Sequence, residues 1–545
     1  MTLFSVRQLR AAPLLAAVAM AGGAASVDAA TFGKSSTPEP PALLPSEAQA
    51  SASSASARTW IVGTSRSRRA TAVAQRFGAQ RLNPGTWLVE RGKARGFASA
   101  LEDIDALRYS EPNRPLRRHQ GDGNALRSEN TRWRSVVTAD APAPPPVLSN
   151  SPLLALIDSQ LDSRHPEFAD SNVTTTGQLG VTDEHGTATA AVAAAPRNGI
   201  GALGVWPGMR ATNFTLPPQI TCKDSATNIR RAVRMGADVI NMSYGSAQLC
   251  YAEYEQLQIA TRAGVTLVAA AGNEAETGNP LEYPASLPHV VTVAAVNSDD
   301  TPSFFSNTNA AIDLSAPGTG ILTAVPVLFD RHDGKADGFT VLDGTSFSAP
   351  MVAAAAAWVR QARPDLTPDQ VTQVVRLGAR DVGRRGWDSQ TGFGVLSLEG
   401  ALKRKAPPPD RGEPNDDVQW VDGQAFGQPN RRLWSGRGTV TRFGMNDRYE
   451  DYADVFRVRI PARSSAEITL EPRGGDPDLA VVPGNVTRLG GAPLLARSRR
   501  TGRVTERVVV RNDRNRARNV YVVTYVHKGG KSLDAAYDLT IKRAP

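Results

Sequence analysis

Cysteine is nearly absent from this chain, with only Cys222 and Cys250 among 545 residues. That scarcity excludes a small scaffold stapled by disulfides. Two thiols with no histidine close in sequence also make a poor metal site. Long apolar runs are lacking as well: the stretch from Ala11 to Ala21 is short for a membrane span, and no later run is long enough. Nor is there a block of one charge. The net +9 comes from scattered arginines without an aromatic-interleaved basic stripe, so no nucleic-acid partner is expected. A hydrophobic content of 41% with 21% charged residues argues against disordered and fibrous classes.

What is present begins with Arg7 and Arg10, the short apolar stretch, and small residues ending near Ala29–Ala30. This is the pattern of a secretory signal peptide over residues 1–30, with an uncleaved anchor as the alternative. It predicts a secreted or extracytoplasmic protein with no stable membrane span after signal removal. In that setting the lone cysteine pair suggests one Cys222–Cys250 disulfide, and two buried free thiols are the alternative.

Composition then divides the chain. Residues 31–57 are rich in Ser, Pro and Ala and read as a linker. Residues 58–118 form a small unit, with strands at Trp60–Val62, Thr86–Glu90 and near Tyr109, and helices at Arg68–Phe77 and Ala94–Ile104. From 125 to 403, continuous apolar runs such as Leu153–Ile157, Val265–Ala271 and Val290–Val296 alternate with helical stretches. Runs apolar on both faces suit parallel strands covered by helices. The expected fold class is α/β, a doubly wound, mostly parallel sheet, with chemistry at the carboxyl ends of its strands. Residues 404–412 form a basic, proline-rich linker. Residues 413–545 show β-type alternation without a convincing helix, which predicts an all-β sandwich.

Three motifs in the α/β region belong together. Asp158 ends the apolar run Ala155-Leu156-Ile157, His185 opens an Ala-rich helix in Glu184-His185-Gly186-Thr187-Ala188-Thr189, and Ser346 enters a helix in Asp343-Gly344-Thr345-Ser346-Phe347-Ser348-Ala349-Pro350. Each alone is a common turn or cap. In the order Asp, His, Ser within a parallel α/β domain they resemble subtilisin-like serine peptidases. Asp238-Val239-Ile240-Asn241-Met242-Ser243, Ala269-Ala270-Ala271-Gly272-Asn273-Glu274, Ser315-Ala316-Pro317-Gly318 and Thr391-Gly392-Phe393-Gly394 extend the resemblance across nearly the whole region.

The resemblance implies a serine endopeptidase acting on proteins or peptides, with Ser346 as nucleophile, His185 as base and Asp158 orienting the imidazole. It implies Asn273 as side-chain donor to the oxyanion. Ser243, Tyr244 and Gly245 would form the substrate-binding edge, with Ala271 and Gly272 walling the specificity pocket. Glu282, beside Tyr283-Pro284, would lie near the pocket floor and favour Lys or Arg; its alternative is a solvated loop position. No cofactor is needed for such chemistry. The 58–118 unit, ending Ser110-Glu111-Pro112-Asn113, resembles the family's inhibitory propeptide and is the expected internal partner. The last domain resembles prepeptidase-type β domains, through Glu413-Pro414-Asn415-Asp416 and Gly475-Asp476-Pro477-Asp478. Asp476 and Asp478 read as a turn before they read as calcium ligands, so no metal site is assigned and any structural calcium is left open.

Departures from the family pattern leave a second class open. Ala188 stands where a second histidine is usual, Gln160 where glycine is usual, and Phe347 where many members carry Met. Ala188 and Gln160 motivate a catalytically degenerate binding or scaffolding protein as the alternative.

Overall fold

Seven short strands, buried along nearly their whole length, build the central sheet. In the computed structural model the described residues are 58–113, 115–118, 132–177, 180–330, 334–447, 451–528 and 534–545. The signal-peptide and linker segments expected over 1–57 lie outside them. The spatial order is Leu314–Pro317, Val290–Val296, Thr266–Ala270, Val239–Met242, Leu154–Asp158, Ala211–Thr215, Val173–Thr175, and every neighbouring pair is parallel. Such a sheet needs helices on both faces. On one face pack the helices His185–Ala194, Thr345–Ala362 and Pro368–Leu377; on the other pack Cys222–Arg234 and Tyr251–Arg262. The chain is therefore a doubly wound α/β protein around its sheet, as its pattern indicated.

Elements without strong periodicity were not foreseen. The helix Arg132–Thr138 lies in a weakly patterned stretch, yet Trp133 and Val137 belong to the main core. The edge strand Val173–Thr175 is three residues long, too short for alternation to register.

Ahead of the sheet, four antiparallel strands run in the order Gln80–Asn83, Thr86–Glu90, Thr59–Thr64, Leu107–Pro112, with helices Arg68–Arg76 and Arg91–Glu102. Alternation along Thr59–Thr64 divides its duties. Val62 joins a local core with Trp87, Phe97 and Leu101, while Ile61 enters the core shared with the Cys222–Arg234 and Tyr251–Arg262 helices.

The last region holds two four-stranded antiparallel sheets. One contains Val440–Asp447, Asp534–Arg543, Ser464–Pro472 and Glu506–Asn512; the other contains Ala453–Ile460, Arg518–Lys528, Asp476–Pro483 and Ala496–Ser498. Their facing side chains, including Val458, Ile468, Val481, Val522 and Leu539, form one core. A short helix, Val418–Val421, departs from the all-β expectation. Trp420 on it packs edge-on against Tyr254 of the α/β region at 5.4 Å.

The sandwich is also tied to the α/β region by charge. Arg376 is 4% exposed and pairs with Asp313 at 2.9 Å and Asp534 at 2.7 Å. Removing the shared cation strands two buried carboxylates, a change that typically costs about 3–5 kcal/mol. Arg376→Met is therefore expected to lower unfolding stability by about that amount. Adding Asp313→Asn and Asp534→Asn should recover part of it in denaturant melts; no recovery would mean the loss is packing and not charge.

Candidate active site

Asp158 is the last residue of a central strand, so its side chain emerges at the carboxyl edge of the sheet while 2% exposed. A carboxylate so nearly out of water needs donors. Its Oδ1 lies 2.6 Å from His185 Nδ1 and accepts the Ser159 N–H at 2.7 Å; its Oδ2 accepts the Thr189 hydroxyl at 3.0 Å. Thr189 stands four residues after His185 on the same helix, which places both side chains on one face. Sequence reasoning quoted Thr189 within the motif without giving it this part, although the i, i+4 spacing was the signal.

The histidine helix is set in place by its own first turn. Asp183 Oδ1 accepts the His185 N–H at 3.1 Å and the Ser159 hydroxyl at 2.5 Å, and the Gly186 N–H donates to Ser159 Oγ at 2.8 Å. Glycine is required beside the histidine: a Cβ at Gly186 would sit 2.0 Å from the Ser159 carbonyl oxygen. His185 is fully buried, and its Nε2 has no hydrogen-bond partner among the described residues.

Ser346 is the second residue of the helix Thr345–Ala362, which is buried from its start to Val359. Pro350, four residues on, has no N–H to give the Ser346 carbonyl. The Ser243 hydroxyl takes that place, donating to Ser346 O at 2.9 Å. In return the Ser346 hydroxyl donates to Ser243 O at 3.3 Å. The structure thus joins Asp158 to His185 directly, while the described contacts of the Ser346 hydroxyl go to Ser243. The ring of Phe347, next along the helix, lies 6.0 Å from the His185 ring.

Asn273 faces the same helix start. Its Oδ1 accepts the Thr345 N–H at 3.0 Å and the Thr345 hydroxyl at 2.8 Å, which leaves the buried Nδ2 as a donor without a partner among the described residues. Thr345 is a positioning residue that the motif contained but sequence reasoning did not assign. Ala271 is buried, and Gly272 adopts φ +106° with Glu282 against it: a Cβ at Gly272 would meet Glu282 Cγ at 2.8 Å. Glu282 is 1% exposed, which removes the solvated-loop alternative.

Tyr244–Gly245 pairs antiparallel with the strand Pro115–Arg118, Tyr244 opposite Arg118 and Gly245 opposite Arg117. The far edge of that strand pairs with Ile220–Thr221. Just ahead of it, the Glu111 carboxylate accepts the N–H groups of Tyr251 and Ala252, both at 2.6 Å, at the start of the Tyr251–Arg262 helix. A carboxylate there satisfies orphan donors and meets the positive end of the helix dipole. Glu255 on that helix accepts from Arg108 and Tyr109, both at 2.7 Å.

The expected Cys222–Cys250 disulfide is not formed. Both residues are buried thiols, hydrogen-bonded to each other, and burial lifts the Cys250 thiol well above its ordinary value. Carboxylates at Glu111 and Glu253 add to that shift and disfavour the thiolate that disulfide exchange needs.

Two departures from the family pattern are accommodated. Gln160 is built into a polar network, its Nε2 donating to Thr175 Oγ1 at 3.1 Å and its Oε1 accepting from Thr215 at 3.3 Å. Ala188 is fully buried in the main core.

A profile of the Subtilase family matches residues 149–394. A probable subtilase-type serine protease of Deinococcus radiodurans is 32% identical over 231 residues, 40% of this chain and 31% of that protein. The chain thus spans about a third of that relative's length. A subtilisin of Bacillus pumilus is 30% identical over 262 residues, 46% of this chain and 90% of the relative. The crystal structure of fervidolysin from Fervidobacterium pennivorans, described as a keratinolytic enzyme related to subtilisin, superposes with a TM-score of 0.54. That match has 17% identity and covers 88% of this chain and 94% of that one, a likeness of fold.

The edge strand rests on one further buried acid. The Tyr244 hydroxyl lies 2.7 Å from Ser225 Oγ, which in turn donates to Glu253. Burial raises the Glu253 carboxyl from 4.5 to about 7. The fold therefore favours its protonated form. This penalty on the charged form is absent below pH ~4.5, grows as pH rises, and is complete above pH ~7. Glu253→Gln should accordingly gain stability relative to wild type at pH ~8 and lose that gain near pH ~4, read by thermal unfolding at both values. An equal difference at both would disconnect Glu253 from any titration.

Proposed function

The chain belongs to the subtilase family, and from that premise we propose that it is a serine endopeptidase, exported and made as a self-inhibited proenzyme, that hydrolyses peptide bonds of proteins through an acyl-enzyme. The observation that carries the reading is the buried Asp158–His185 pair at 2.6 Å, with His185 Nε2 and Asn273 Nδ2 unpartnered among the described residues beside the start of the Ser346 helix.

In this reading His185 Nε2 takes the Ser346 proton as Oγ attacks the scissile carbonyl, and Asp158 holds the tautomer and stabilises the imidazolium. Asn273 Nδ2 and the Ser346 N–H receive the oxyanion, and no cofactor takes part. The Ser346 hydroxyl has to leave the Ser243 carbonyl for the imidazole, a tightening that catalytic hydrogen bonds commonly undergo when substrate is bound. The pairing of Pro115–Arg118 along Tyr244–Gly245 supports the proenzyme part: the tail of the 58–118 unit lies where an extended substrate would add as a strand.

A serine-directed fluorophosphonate is expected to label the processed protein at Ser346 and not a Ser346→Ala variant; an unlabelled processed wild type would remove the enzyme reading. Asn273→Ala should reduce kcat by about 10²–10³-fold, the loss subtilisin itself shows without its side-chain donor.

Glu282, buried under Gly272, supports a preference for Lys or Arg before the cut bond, because a carboxylate in an enclosed pocket favours a cationic side chain. A cleavage profile indifferent to basic residues and unchanged by Glu282→Ala would overturn that preference while leaving the peptidase reading intact.

A further inference from the structure

We infer that the open cavity between the helix Tyr251–Arg262 and the C-terminal sandwich binds a sugar chain carrying sulfate or phosphate esters. The cavity holds about 630 Å³, within the range of ordinary ligand sites. Seven of its seventeen wall residues are arginine, in a chain whose Lys and Arg number 62 among 545. These arginines are scattered in sequence and gathered by the fold. Arg262 ends the helix Tyr251–Arg262, and Arg411 lies in the segment joining the two regions. Arg431, Arg432 and Arg437 stand on the loop that precedes the strand Val440–Asp447. Arg442 is on that strand, and Arg457 is on Ala453–Ile460.

The second observation is that these cations lack acids to answer them. None of the seven forms an ion pair among the described residues, whereas Arg108, Arg360, Arg376, Arg380, Arg473 and Arg507 all do. Glu413, the one acid of the wall, is engaged by His289 at 3.5 Å. Asp422 feels the charge of Arg457 without pairing with it. The wall is nevertheless held in place. Arg457 donates to the Asn430 carbonyl at 2.6 Å, and the Arg262 guanidinium lies 4.2 Å from the centre of the Phe426 ring. The loop that carries Arg431, Arg432 and Arg437 is tied to the Arg457 strand: the Leu433 N–H donates to the Arg457 carbonyl at 2.8 Å, and the Arg459 N–H to the Trp434 carbonyl at 3.0 Å. Like charges fixed around one concavity repel until an anion enters, and a cleft of one sign focuses its field on that anion.

The class of ligand follows from what arginine recognises and from what the wall does not offer. Guanidinium forks match the oxyanions of sulfate and phosphate bidentately. Nucleic-acid sites that ignore sequence add exposed aromatic rings on which bases stack. Here the two rings of the wall, Trp434 and Phe456, are 2% and 7% exposed, so the surface reads charge without a stacking platform. A sugar chain presents esters at close spacing and has no bases to stack. Its place in the fold separates the cavity from the Asp158–His185 pair. The helix Tyr251–Arg262 runs from beyond the carboxyl end of Val239–Met242 back toward the start of Thr266–Ala270, so Arg262 lies at the amino edge of the sheet. Asp158 emerges at the carboxyl edge. A chain held in the cavity leaves that edge free, and the site docks the protein on an anionic polymer.

The test titrates the full chain into fluorescein-labelled dextran sulfate and, separately, a labelled phosphorylated mannan, reading anisotropy over a range of salt. Binding of at least one, with none of neutral dextran, is expected at about 0.15 M ionic strength, and the tighter of the two names the ester the site takes. Arg431→Ala, Arg432→Ala and Arg437→Ala together should weaken binding at least ~10-fold. They should also lower the slope of log affinity against log salt by about 2, since a neutralised ester contributes about 0.7–0.9 in nucleic-acid polyanions. All three side chains are exposed, so the unfolding midpoint should stay that of wild type. A control removes the same charge from another exposed part of the sandwich, through Arg511→Ala, Arg514→Ala and Arg516→Ala, and should bind as wild type does. Equal weakening by the two triple variants reduces the interaction to net charge and overturns the site, as does failure of both polymers to bind. A single-stranded DNA of equal charge that binds as tightly overturns the sugar-chain assignment.

Discussion

A carboxylate almost out of water sits at the end of a central strand, and much of the surrounding architecture answers its need for donors. Asp158 is satisfied from three directions: the imidazole, a backbone N–H and the Thr189 hydroxyl. Two of those donors lie on one helix, so meeting the need fixes where that helix starts and how it is rotated. The start is then locked by Ser159 and Asp183, and the close approach forces glycine at position 186. The imidazole is consequently pinned through Nδ1, with Nε2 as the nitrogen left to act. A surface histidine would have neither the fixed orientation nor the dry surroundings that strengthen such hydrogen bonds.

The same economy of backbone groups governs the edge where Tyr244–Gly245 lies. An exposed edge strand presents unpaired donors and acceptors and invites another strand. Here the strand Pro115–Arg118 takes that place, and it reaches it because Glu111 fastens the chain to the first turn of the Tyr251–Arg262 helix. The buried contacts of Glu255 with Arg108 and Tyr109 strengthen the fastening from the helix side. Whatever replaces the tail must compete with ladder hydrogen bonds that the tail makes with the help of a tethered neighbour, which raises its effective concentration at the edge.

Local sequence carried the features whose physics is local. The apolar runs at Leu154–Asp158, Thr266–Ala270 and Val290–Val296 are strands because strands buried on both faces tolerate few polar residues, and the sheet class followed from their alternation with helices. The roles expected of Asp158, His185, Ser346 and Asn273 came instead from the resemblance of their motifs to a known family, since each motif alone is a common turn or cap. The part of Thr345 was not legible, because its hydroxyl acts through geometry that residue type does not reveal; that of Thr189 was signalled only by its i, i+4 spacing from His185. The cysteines show the converse limit: two residues brought together by the fold met the expected proximity, but burial beside carboxylates keeps them as thiols. Most obscure in sequence was the junction with the sandwich, where Arg376 and Asp534 pair across 158 positions.

That junction sets out the available answers to one electrostatic problem. Asp158 is solved by neutral donors and a histidine, which suits a group that takes part in proton movement. Asp313 and Asp534 are solved by one arginine between them; a guanidinium cannot be titrated away, but burial still lifts the Asp534 carboxyl from 3.8 to about 7. Among the described residues the cluster around Glu413 has His289 as its one ion-pairing cation, and there burial with mutual repulsion lifts Asp410, Glu413 and Asp451 well above the carboxylate range. Carboxylates so arranged favour their protonated forms. Beside that cluster the two regions are joined by the Arg376–Asp534 pair and by the packing of Trp420 on Tyr254.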